Sequence, residues 1–449
     1  MQKIAAFLLA FLSLSLFGFA RDIPANNDHQ IHSLPGLSVT LNFTQYSGYV
    51  PLSPTKSLFY WFIESPTSSG EKPLILWLNG GPGASSVALG LFHEVGPFHV
   101  NTDGSTLTLS PYAWNNEANI LYLESPAGIG FSYSDLTEVI DEDSKLSDSA
   151  AAEDAYQFLI HWFNRYPQYK GRKFYMAGES YAGHYIPQLS QLIVARNKGI
   201  SNPDINLQGF LLGNPALDDV LDHKGQFEFW WNLGLISDSL YSALKTTCLN
   251  HSYIRPTLEC KALWDKGRTE MDFTDTYQVS VTPCQEDTLK WKSLDDSRRK
   301  QLEHCQHYFA AMYLNREDVR KAIHAEAFGT RQWKAYRHEM RLVWESVPST
   351  LPIIKELIAA GLKMWIYSGN NDGIIPPTST RYSLGSLNLK QKGDWHAWHV
   401  THSTVGGWCQ EYEGLTFAVV NGAGHEVPVL RHEASYAMLK RFLNNQPLD

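Results

Sequence analysis

The chain has 449 residues, of which 43% are hydrophobic and 13% aromatic, and its formal net charge is −9. This composition supplies a sizeable hydrophobic core and excludes a disordered chain. No long run of basic residues occurs, so nucleic acid is not an expected partner.

The first twenty residues have the pattern of a secretory signal peptide. Lys3 precedes an apolar stretch, and Gly18 and Ala20 put small residues at the two positions that define a cleavage site. A membrane anchor is the alternative, but the apolar run is short for a bilayer and Arg21 follows it. We therefore expect a secretory-pathway protein with no membrane span after signal removal. Its destination would be the cell exterior or a lysosomal or vacuolar lumen.

Two other features fit this route. Asn42 and Asn250 each begin an N-x-S/T sequence, which is an acceptor for N-glycosylation in secreted proteins. Five cysteines in an oxidising compartment indicate disulfides, although Cys409 stands apart from the rest. The other four lie close in sequence: Cys248, Cys260, Cys284 and Cys305. Metal binding is the alternative for these four, but they contain no C-x2-C pair.

Short apolar runs recur along the chain and predict buried strands of a central sheet. They cover residues 58–63, 74–78, 120–123, 174–177, 210–212, 364–367 and 417–420. Helical patterns lie between them, at 150–166, 185–195 and 351–362. Strands that alternate with helices predict an α/β fold whose sheet is mostly parallel and has helices on both faces.

The alternation stops between residues 216 and 345, a stretch that is richer in charge and holds four of the five cysteines. We expect this stretch to be a large inserted cap that lies over the sheet. The core would then be built from two parts of the chain, residues 21–215 and 346–449.

The segment "GESYAG", residues 178–183, lies between a predicted strand and a predicted helix. It has the form of a nucleophile turn, in which small residues flank a serine because the turn is sharp. The hydroxyl of Ser180 would then stand at a helix N-terminus. This pattern alone is weak evidence, since serines between glycines are common in loops.

A reactive serine needs a histidine that accepts its proton and a carboxylate that orients the histidine. Asp372 lies in the turn after the predicted strand 364–367, and His425 lies in a glycine-rich loop after the strand 417–420. Considered alone, Asp372 could simply form the turn, and His425 could be an ordinary polar residue of the surface. Because all three residues follow strand ends in the order Ser, acid, His, they favour a catalytic triad.

The segment "WLNGGPGASS", residues 77–86, follows another predicted strand. Consecutive glycines let backbone N–H groups face a ligand without a side chain in between, as stabilisation of a tetrahedral intermediate requires. A nucleotide-phosphate loop is the alternative, but it needs a lysine that this segment lacks.

Together these motifs resemble the serine carboxypeptidase family over nearly the whole mature chain. The matching segments are "LILWLNGGPG", "NILYLESPAGIGFSYS", "GESYAGHYIP", "LLGNPALD", "YSGNNDGIIP" and "VVNGAGHEVP". The resemblance implies an α/β-hydrolase fold and a serine-type enzyme that releases C-terminal residues from peptides through an acyl-enzyme, without a cofactor. It also implies that Ser180, Asp372 and His425 form the triad.

The same resemblance assigns four further residues. The backbone N–H groups of Gly81 and Tyr181 would form the oxyanion hole, and Asn79 and Glu179 would bind the free carboxylate of the substrate. Two adjacent ionised carboxylates repel, so a protonated Glu179 is expected to donate to that carboxylate, and peptidase activity should be best at mildly acidic pH. A structural role is the alternative for Glu179, and Glu94 is a further candidate partner for it.

The chain departs from the family pattern at one disulfide. Relatives usually have a cysteine where this chain has Ala84, and the partner cysteine expected after Trp333 is also absent. The link between the segment of residues 77–86, hereafter the glycine loop, and the cap would then be non-covalent, so we expect a more mobile cap or glycine loop. The pairs that the resemblance leaves are Cys248–Cys260 and Cys284–Cys305.

Some features leave other functions open. His396, His399 and His402 recur every third residue, but we expect no metal site there because the family has none. An acyltransferase of the same fold would keep the triad, and a protective or scaffolding partner of lumenal enzymes would need no catalysis. The sequence also leaves a homodimer open.

Overall fold

The structure is a computed structural model that describes residues 28–134, 146–249, 256–271, 274–281, 284 and 305–449. The predicted signal peptide and the predicted glycosylation site at Asn250 lie outside these residues. Asn42 is exposed and lies just before the first strand.

The strands are numbered along the chain. They are β1 Gln45–Ser53, β2 Lys56–Ile63, β3 Leu74–Leu78, β4 Phe98–Val100, β5 Leu107–Leu109, β6 Asn119–Leu123, β7 Tyr133–Ser134, β8 Leu146–Ser147, β9 Lys173–Glu179, β10 Asn206–Gly213, β11 Trp344–Glu345, β12 Lys363–Gly369, β13 His396–Thr401, β14 Thr404–Tyr412 and β15 Leu415–Val420.

The helices are numbered in the same way. They are α1 Asp148–Arg165, α2 Ala182–Asn197, α3 Asp219–Asn232, α4 Asp238–Thr247, α5 Leu258–Glu270, α6 Gln306–Leu314, α7 Glu317–Ala322, α8 Met340–Val343, α9 Leu351–Ala359, α10 Pro377–Ser386, α11 Val427–Leu430 and α12 His432–Leu443. A π-helical segment covers Ser86–Glu94, and single 3₁₀ turns cover Trp114–Asn116, Pro167–Tyr169 and Glu326–Phe328.

An 11-stranded sheet runs through the described residues, with its main path in the order β1-β2-β6-β3-β9-β10-β12-β15-β14-β13. The strands from β6 to β15 along this path are parallel to one another. The flanking strands, including β7, pair antiparallel. The predicted α/β sheet is therefore confirmed as a large mixed sheet whose central six strands are parallel.

The register of the parallel strands gathers several loops at one edge of the sheet. Leu78 at the end of β3 pairs with Gly178 near the end of β9, and Gly369 at the end of β12 pairs with Val420 at the end of β15. The loops that follow these strands therefore leave the sheet side by side. In open α/β sheets, this carboxyl edge is where ligands bind.

Two hydrophobic clusters cover the two faces of the sheet, because successive side chains of a strand point to opposite faces. Along β9, Tyr175 and Ala177 belong to one cluster, and Phe174 and Met176 belong to the other. The π-helical segment, α6 and α12 pack on the first face, and α1, α2 and α9 pack on the second. A separate small cluster joins α3, α4 and α5.

Candidate active site

The turn that carries Ser180 has an unusual backbone conformation. Ser180 has φ +60°, in the left-handed region that few residues other than glycine adopt. Its N–H donates to the carbonyl of Gly213 at 2.9 Å, and its own carbonyl accepts from the N–H groups of Gly183 and Ala216, each at 3.0 Å. These bonds hold the strained residue between β9 and α2, and its side chain is partly exposed.

The glycine loop approaches this turn closely. A Cβ atom on Gly80 would lie 2.2 Å from the backbone nitrogen of Tyr181, so no larger residue fits there without a shift. Gly81 has φ +116°, which also favours glycine. Within the described part of the chain, neither the N–H of Gly81 nor that of Tyr181 donates a hydrogen bond. Both donors are thus available to a ligand beside Ser180.

Asp372 and His425 lie in contact at the ends of β12 and β15. The Nδ1 atom of His425 is 2.7 Å from the Oδ2 atom of Asp372, and both side chains are buried. Asp372 also accepts from the Asn214 amide at 2.7 Å and from the backbone N–H groups of Ile374 and Ile375. A carboxylate held in this way keeps the proton of a neutral imidazole on Nδ1 and leaves Nε2 as the acceptor.

The other nitrogen of His425 faces Glu179. Nε2 lies 3.3 Å from the Oε2 atom of Glu179 and makes no hydrogen bond to any described residue, so it is not bonded to the Ser180 hydroxyl. Burial alone would lower the pKa of His425, but Asp372 and Glu179 together raise it well above its ordinary value. The imidazole therefore tends to hold a proton between two carboxylates.

Asn79 joins Glu179 to a second buried carboxyl group. Its Nδ2 atom donates to Oε1 of Glu94 at 2.6 Å and to Oε1 of Glu179 at 2.8 Å. The indole N–H of Trp77 donates to Oδ1 of Asn79 at 2.6 Å, which fixes which end of the amide faces the carboxyl groups. Burial, together with the charge of Glu179, raises the pKa of Glu94 well above its usual range.

The two carboxyl groups are incompletely hydrogen bonded. Oε2 of Glu94 and Oε2 of Glu179 make no hydrogen bond to a described residue, although both atoms are buried. Oε2 of Glu179 is within ion-pair distance of the His425 imidazole. Both amide hydrogens of Asn79 are already used, so this side chain has none left for a ligand in this arrangement. The sequence suggested Glu94 as a partner of Glu179. In the structure the two carboxyl groups are linked through the amide of Asn79, which donates to both.

The chain matches a known protein family over most of its length. Residues 35–445 match the family model described as serine carboxypeptidase. The chain belongs to the serine carboxypeptidase family.

Relatives within this family cover nearly the whole chain. Serine carboxypeptidase-like 28 of Arabidopsis thaliana is 46% identical over 424 residues, which are 93% of this chain and 91% of that protein. Serine carboxypeptidase 24 of the same plant is 41% identical and covers 98% of this chain and 97% of its own length.

A solved structure shares the fold. Kex1, a prohormone-processing carboxypeptidase from Saccharomyces cerevisiae, aligns with a TM-score of 0.79 at 22% identity over 94% of this chain and 97% of its own. The chain has the α/β-hydrolase fold of this family.

The site contains polar residues that the sequence analysis did not single out. Asn214, in the segment "LLGNPALD", donates to Asp372 and also accepts from the N–H of Gly369 at 3.1 Å. Glu426, next to His425, lies 3.0 Å from the imidazole of His93. Burial alone would raise the pKa of Glu426, but the neighbouring His93 lowers it to about 2.

Backbone hydrogen bonds join the glycine loop to residues 335–337, where the resemblance led us to expect a non-covalent link. The N–H of Ser85 donates to the carbonyl of Ala335 at 2.9 Å, and the N–H of Arg337 donates to the carbonyl of Gly83 at 2.8 Å. Between these bonds, Ala84 and Tyr336 face each other as an antiparallel bridge. The glycine loop is therefore tied to residues 335–337 without a covalent bond.

Two disulfides are present, and they join Cys248 to Cys260 and Cys284 to Cys305. The fifth cysteine, Cys409, is a free thiol that is buried in β14.

A cleft of about 1050 Å³ opens beside the site. Its lining includes Tyr277, His307, Trp333, Tyr336 and Glu426. The backbone carbonyl of Tyr277 accepts a hydrogen bond from the N–H of His425. The Tyr277 ring packs edge-on against the imidazole, with the ring centroids 5.0 Å apart. A cleft of this size accommodates a short peptide.

The described residues include no group of three His, Cys, Asp or Glu side chains placed to hold a metal ion. The imidazole of His396 instead lies within hydrogen-bonding distance of the carbonyls of Asp394 and Leu448. Within the same residues, none of the helices combines the length and apolar character that crossing a membrane requires.

Proposed function

We propose that this family member is an active carboxypeptidase that removes residues from the free C-terminus of peptides through an acyl-enzyme. The observation that carries the proposal is the buried Oε2 atom of Glu179, which makes no hydrogen bond to a described residue and lies within ion-pair distance, 3.3 Å, of the imidazole of His425. A buried carboxyl oxygen that makes no hydrogen bond is costly. The cost is offset if a substrate carboxylate binds beside this oxygen and the two groups share a proton.

The chemistry divides into two steps. Ser180 attacks the last peptide carbonyl while its proton passes to Nε2 of His425, and Asp372 stabilises the resulting imidazolium. The N–H groups of Gly81 and Tyr181 stabilise the oxyanion. When the C–N bond breaks, the imidazolium gives its proton to the leaving amine and the C-terminal amino acid departs. Water then repeats the sequence on the ester and frees Ser180.

In this scheme Glu179 and His425 share a single proton across the 3.3 Å between them. With no substrate, the raised pKa of His425 places the proton on the imidazole. When a substrate carboxylate arrives, the proton is better placed on Glu179, because two ionised carboxylates repel. The transfer leaves a neutral His425 that can act as the base, and it provides Glu179 with a hydrogen to donate. Asn79 then positions Glu179 through the amide bond at 2.8 Å.

The pH range of peptidase activity follows from this proton. At strongly acidic pH His425 stays protonated even when a substrate carboxylate is bound, so it cannot accept the serine proton. At alkaline pH the shared proton is lost, and the substrate carboxylate then finds no hydrogen to accept at this position. We therefore place the working range on the mildly acidic side, as in a lysosome or vacuole. This agrees with the predicted signal peptide and with the predicted glycosylation site at Asn42, which is exposed.

The decisive experiment compares blocked dipeptides that differ only in a free or an amidated C-terminus. The purified mature protein should hydrolyse the free acid with a kcat/KM at least about tenfold higher at mildly acidic pH, since the amide has no carboxylate to share the proton. Equal rates would overturn the proposal. Product analysis with an added alcohol tests the acyltransferase alternative, which predicts ester formation in preference to hydrolysis. Ser180→Ala serves as the control and should abolish activity, whereas a scaffolding function would survive it.

A further inference from the structure

The side chain of Tyr181 is anchored on the far side of the turn from the reacting atoms. Its hydroxyl donates to Oδ1 of Asp148 at 2.9 Å and also contacts the hydroxyl of Ser346. Its ring stacks on the imidazole of His184 with centroids 4.5 Å apart and planes 8° apart. The residue directly after Ser180 is thus held by its backbone, its ring and its hydroxyl.

Asp148 is the centre of this anchor. It lies in the first turn of α1 and is 1% exposed. Its donors are the Tyr181 hydroxyl, the Trp344 indole N–H, the Ser346 hydroxyl, the Val347 backbone N–H and the His184 imidazole, all within 2.9 to 3.1 Å. A buried carboxylate with this many donors is fixed in position.

One stretch of chain connects this anchor to the glycine loop. Residues 335–337 bond to the backbone of Gly83 and Ser85, and residues 344–347 bond to Asp148. The stretch 335–347 therefore contacts both structures that supply the oxyanion donors. It touches neither Asp372 nor His425 through any of these bonds.

We propose that Asp148 is a positioning residue for the oxyanion hole: through the hydroxyl and ring of Tyr181, it keeps the Tyr181 N–H aimed at the carbonyl that Ser180 attacks. The inference rests on the proposed role of that N–H in serine chemistry, but it does not depend on the substrate being a peptide. The N–H belongs to the planar peptide unit between Ser180 and Tyr181, and a turn of this unit about the flanking backbone dihedrals would aim the N–H away. Anchoring the side chain of Tyr181 at its far end opposes such a rotation.

Oxyanion donors act only when they are correctly placed, and a displacement of about 1 Å can cost two orders of magnitude in rate. Loosening a donor that is still present should cost less than removing it. We therefore expect losses on the order of tenfold in the variants below.

The test measures how fast a fluorophosphonate reagent labels Ser180. In this reaction the serine oxygen bonds to phosphorus, the P–F bond breaks, fluoride leaves and His425 takes the serine proton. The phosphoryl oxygen occupies the oxyanion hole, so the rate reports donor placement without a peptide. Tyr181→Phe and Asp148→Asn should each lower the second-order labelling rate by about tenfold.

Tyr169→Phe is the matched control. The Tyr169 hydroxyl is a buried donor to the carboxyl of Glu64 at 2.5 Å, far from the turn, so this variant loses a similar bond without touching the site. Its labelling rate should equal that of the wild type. Unchanged labelling in folded Tyr181→Phe would overturn the proposal. This variant removes only one hydroxyl, so it decides the question even where Asp148→Asn does not fold.

Peptide kinetics separate positioning from a general loss of structure. In Tyr181→Phe, kcat for a blocked dipeptide should fall while KM stays unchanged, because the carboxylate site at Glu179 is intact. An equal loss of labelling in the Tyr169→Phe control would instead show a structural effect and overturn the proposal. If the wild type is labelled by the reagent but hydrolyses no peptide, the carboxypeptidase proposal fails and the labelling ratios still decide this one.

Discussion

Two clusters of buried carboxyl groups lie near Ser180, and they differ in how completely they are hydrogen bonded. Asp148 accepts hydrogen bonds from the turn residue Tyr181 and from His184 on α2. It also accepts from Trp344 on β11 and from Val347, which follows that strand. Glu94 and Glu179 share the single amide of Asn79, and each leaves one buried oxygen without a hydrogen bond to a described residue.

The difference also appears in the protonation of the groups. Burial alone would raise the pKa of Asp148, but the hydrogen bond from His184 lowers it. At Glu94, burial and the charge of Glu179 act together and raise the pKa well above its usual range. A buried carboxylate whose oxygens are all hydrogen bonded stabilises the fold. One with an oxygen left unbonded lowers the stability, and such a group is expected where a ligand or a proton binds that oxygen.

The largest expected difference between the clusters is in stability. Asp148→Asn replaces an acceptor by an amide whose NH₂ faces other donors, and it should lower the unfolding free energy by about 3 kcal/mol. Glu94→Gln keeps an oxygen for the Asn79 amide and should change the free energy by less than about 1 kcal/mol. Denaturant unfolding monitored by tryptophan fluorescence measures both variants.

The pH dependence of this difference has a defined sign. Because the pKa of Asp148 is lowered in the folded protein, its stabilisation is complete above the pKa of an unfolded aspartate. It is lost as the pH falls through the lowered folded value. The gap between the two variants should therefore persist at mildly acidic pH and close only in strong acid. A larger loss of unfolding free energy for Glu94→Gln than for Asp148→Asn would contradict the proposed difference between the two clusters.

The next effect concerns the pH profile of Glu179→Gln. The substitution removes one of the two negative neighbours of His425, so the raised pKa of the imidazole should fall toward its ordinary value. Hydrolysis of an ester without a free carboxylate needs only the neutral imidazole, so its rising limb should move to lower pH. Ester rates at acid pH should then increase several-fold over the wild type.

Peptides with a free carboxylate should respond differently to the same substitution. The glutamine amide can also donate to the carboxylate and does not titrate, so KM at acid pH should be preserved and its rise at alkaline pH should disappear. Steady-state kinetics across the pH range measure both substrates. Weaker peptide binding by Glu179→Gln at acid pH would contradict the proposed proton on Glu179.

The sequence predicts the centre of the sheet better than its edges, for a physical reason. Central strands such as β3 and β6 are buried on both faces and appear as continuous apolar runs. The flanking strands β1, β13 and β14 mix buried and exposed positions or contain adjacent glycines, so no continuous apolar run marks them in the sequence. Their pairing depends on neighbours that are distant in sequence.

The same contrast holds at the candidate site. Ser180, Asp372 and His425 could be singled out because each follows a strand end, where local turn chemistry is visible in the sequence. Asp148 could not, since an acidic residue in the first turn of a helix is expected from the helix dipole alone. Its bond to the backbone of Val347 spans 199 residues, and only tertiary packing creates it.

The smallest expected effect concerns the glycine loop, for which the sequence predicted extra mobility. Ser85 and Arg337 donate to the opposing strand, whereas Gly81 donates to no described residue. Hydrogen exchange at single-amide resolution should therefore show Ser85 and Arg337 exchanging more slowly than Gly81. Equal protection across the loop and the central strands would contradict the predicted mobility.

A cross-link sharpens this last test. The bonds on either side of Ala84 and Tyr336 make them a non-hydrogen-bonded antiparallel pair, in which the Cα atoms lie about 4.5 Å apart, within the range that a disulfide spans. The double substitution Ala84→Cys with Tyr336→Cys should oxidise readily, and its reduced form is the matched control. Oxidation should slow exchange at Gly81 by a few-fold and leave exchange near Asp148 unchanged, because that anchor is already complete. If oxidation slowed exchange at both places equally, the two regions would form one cooperative unit and the contrast between them would not hold.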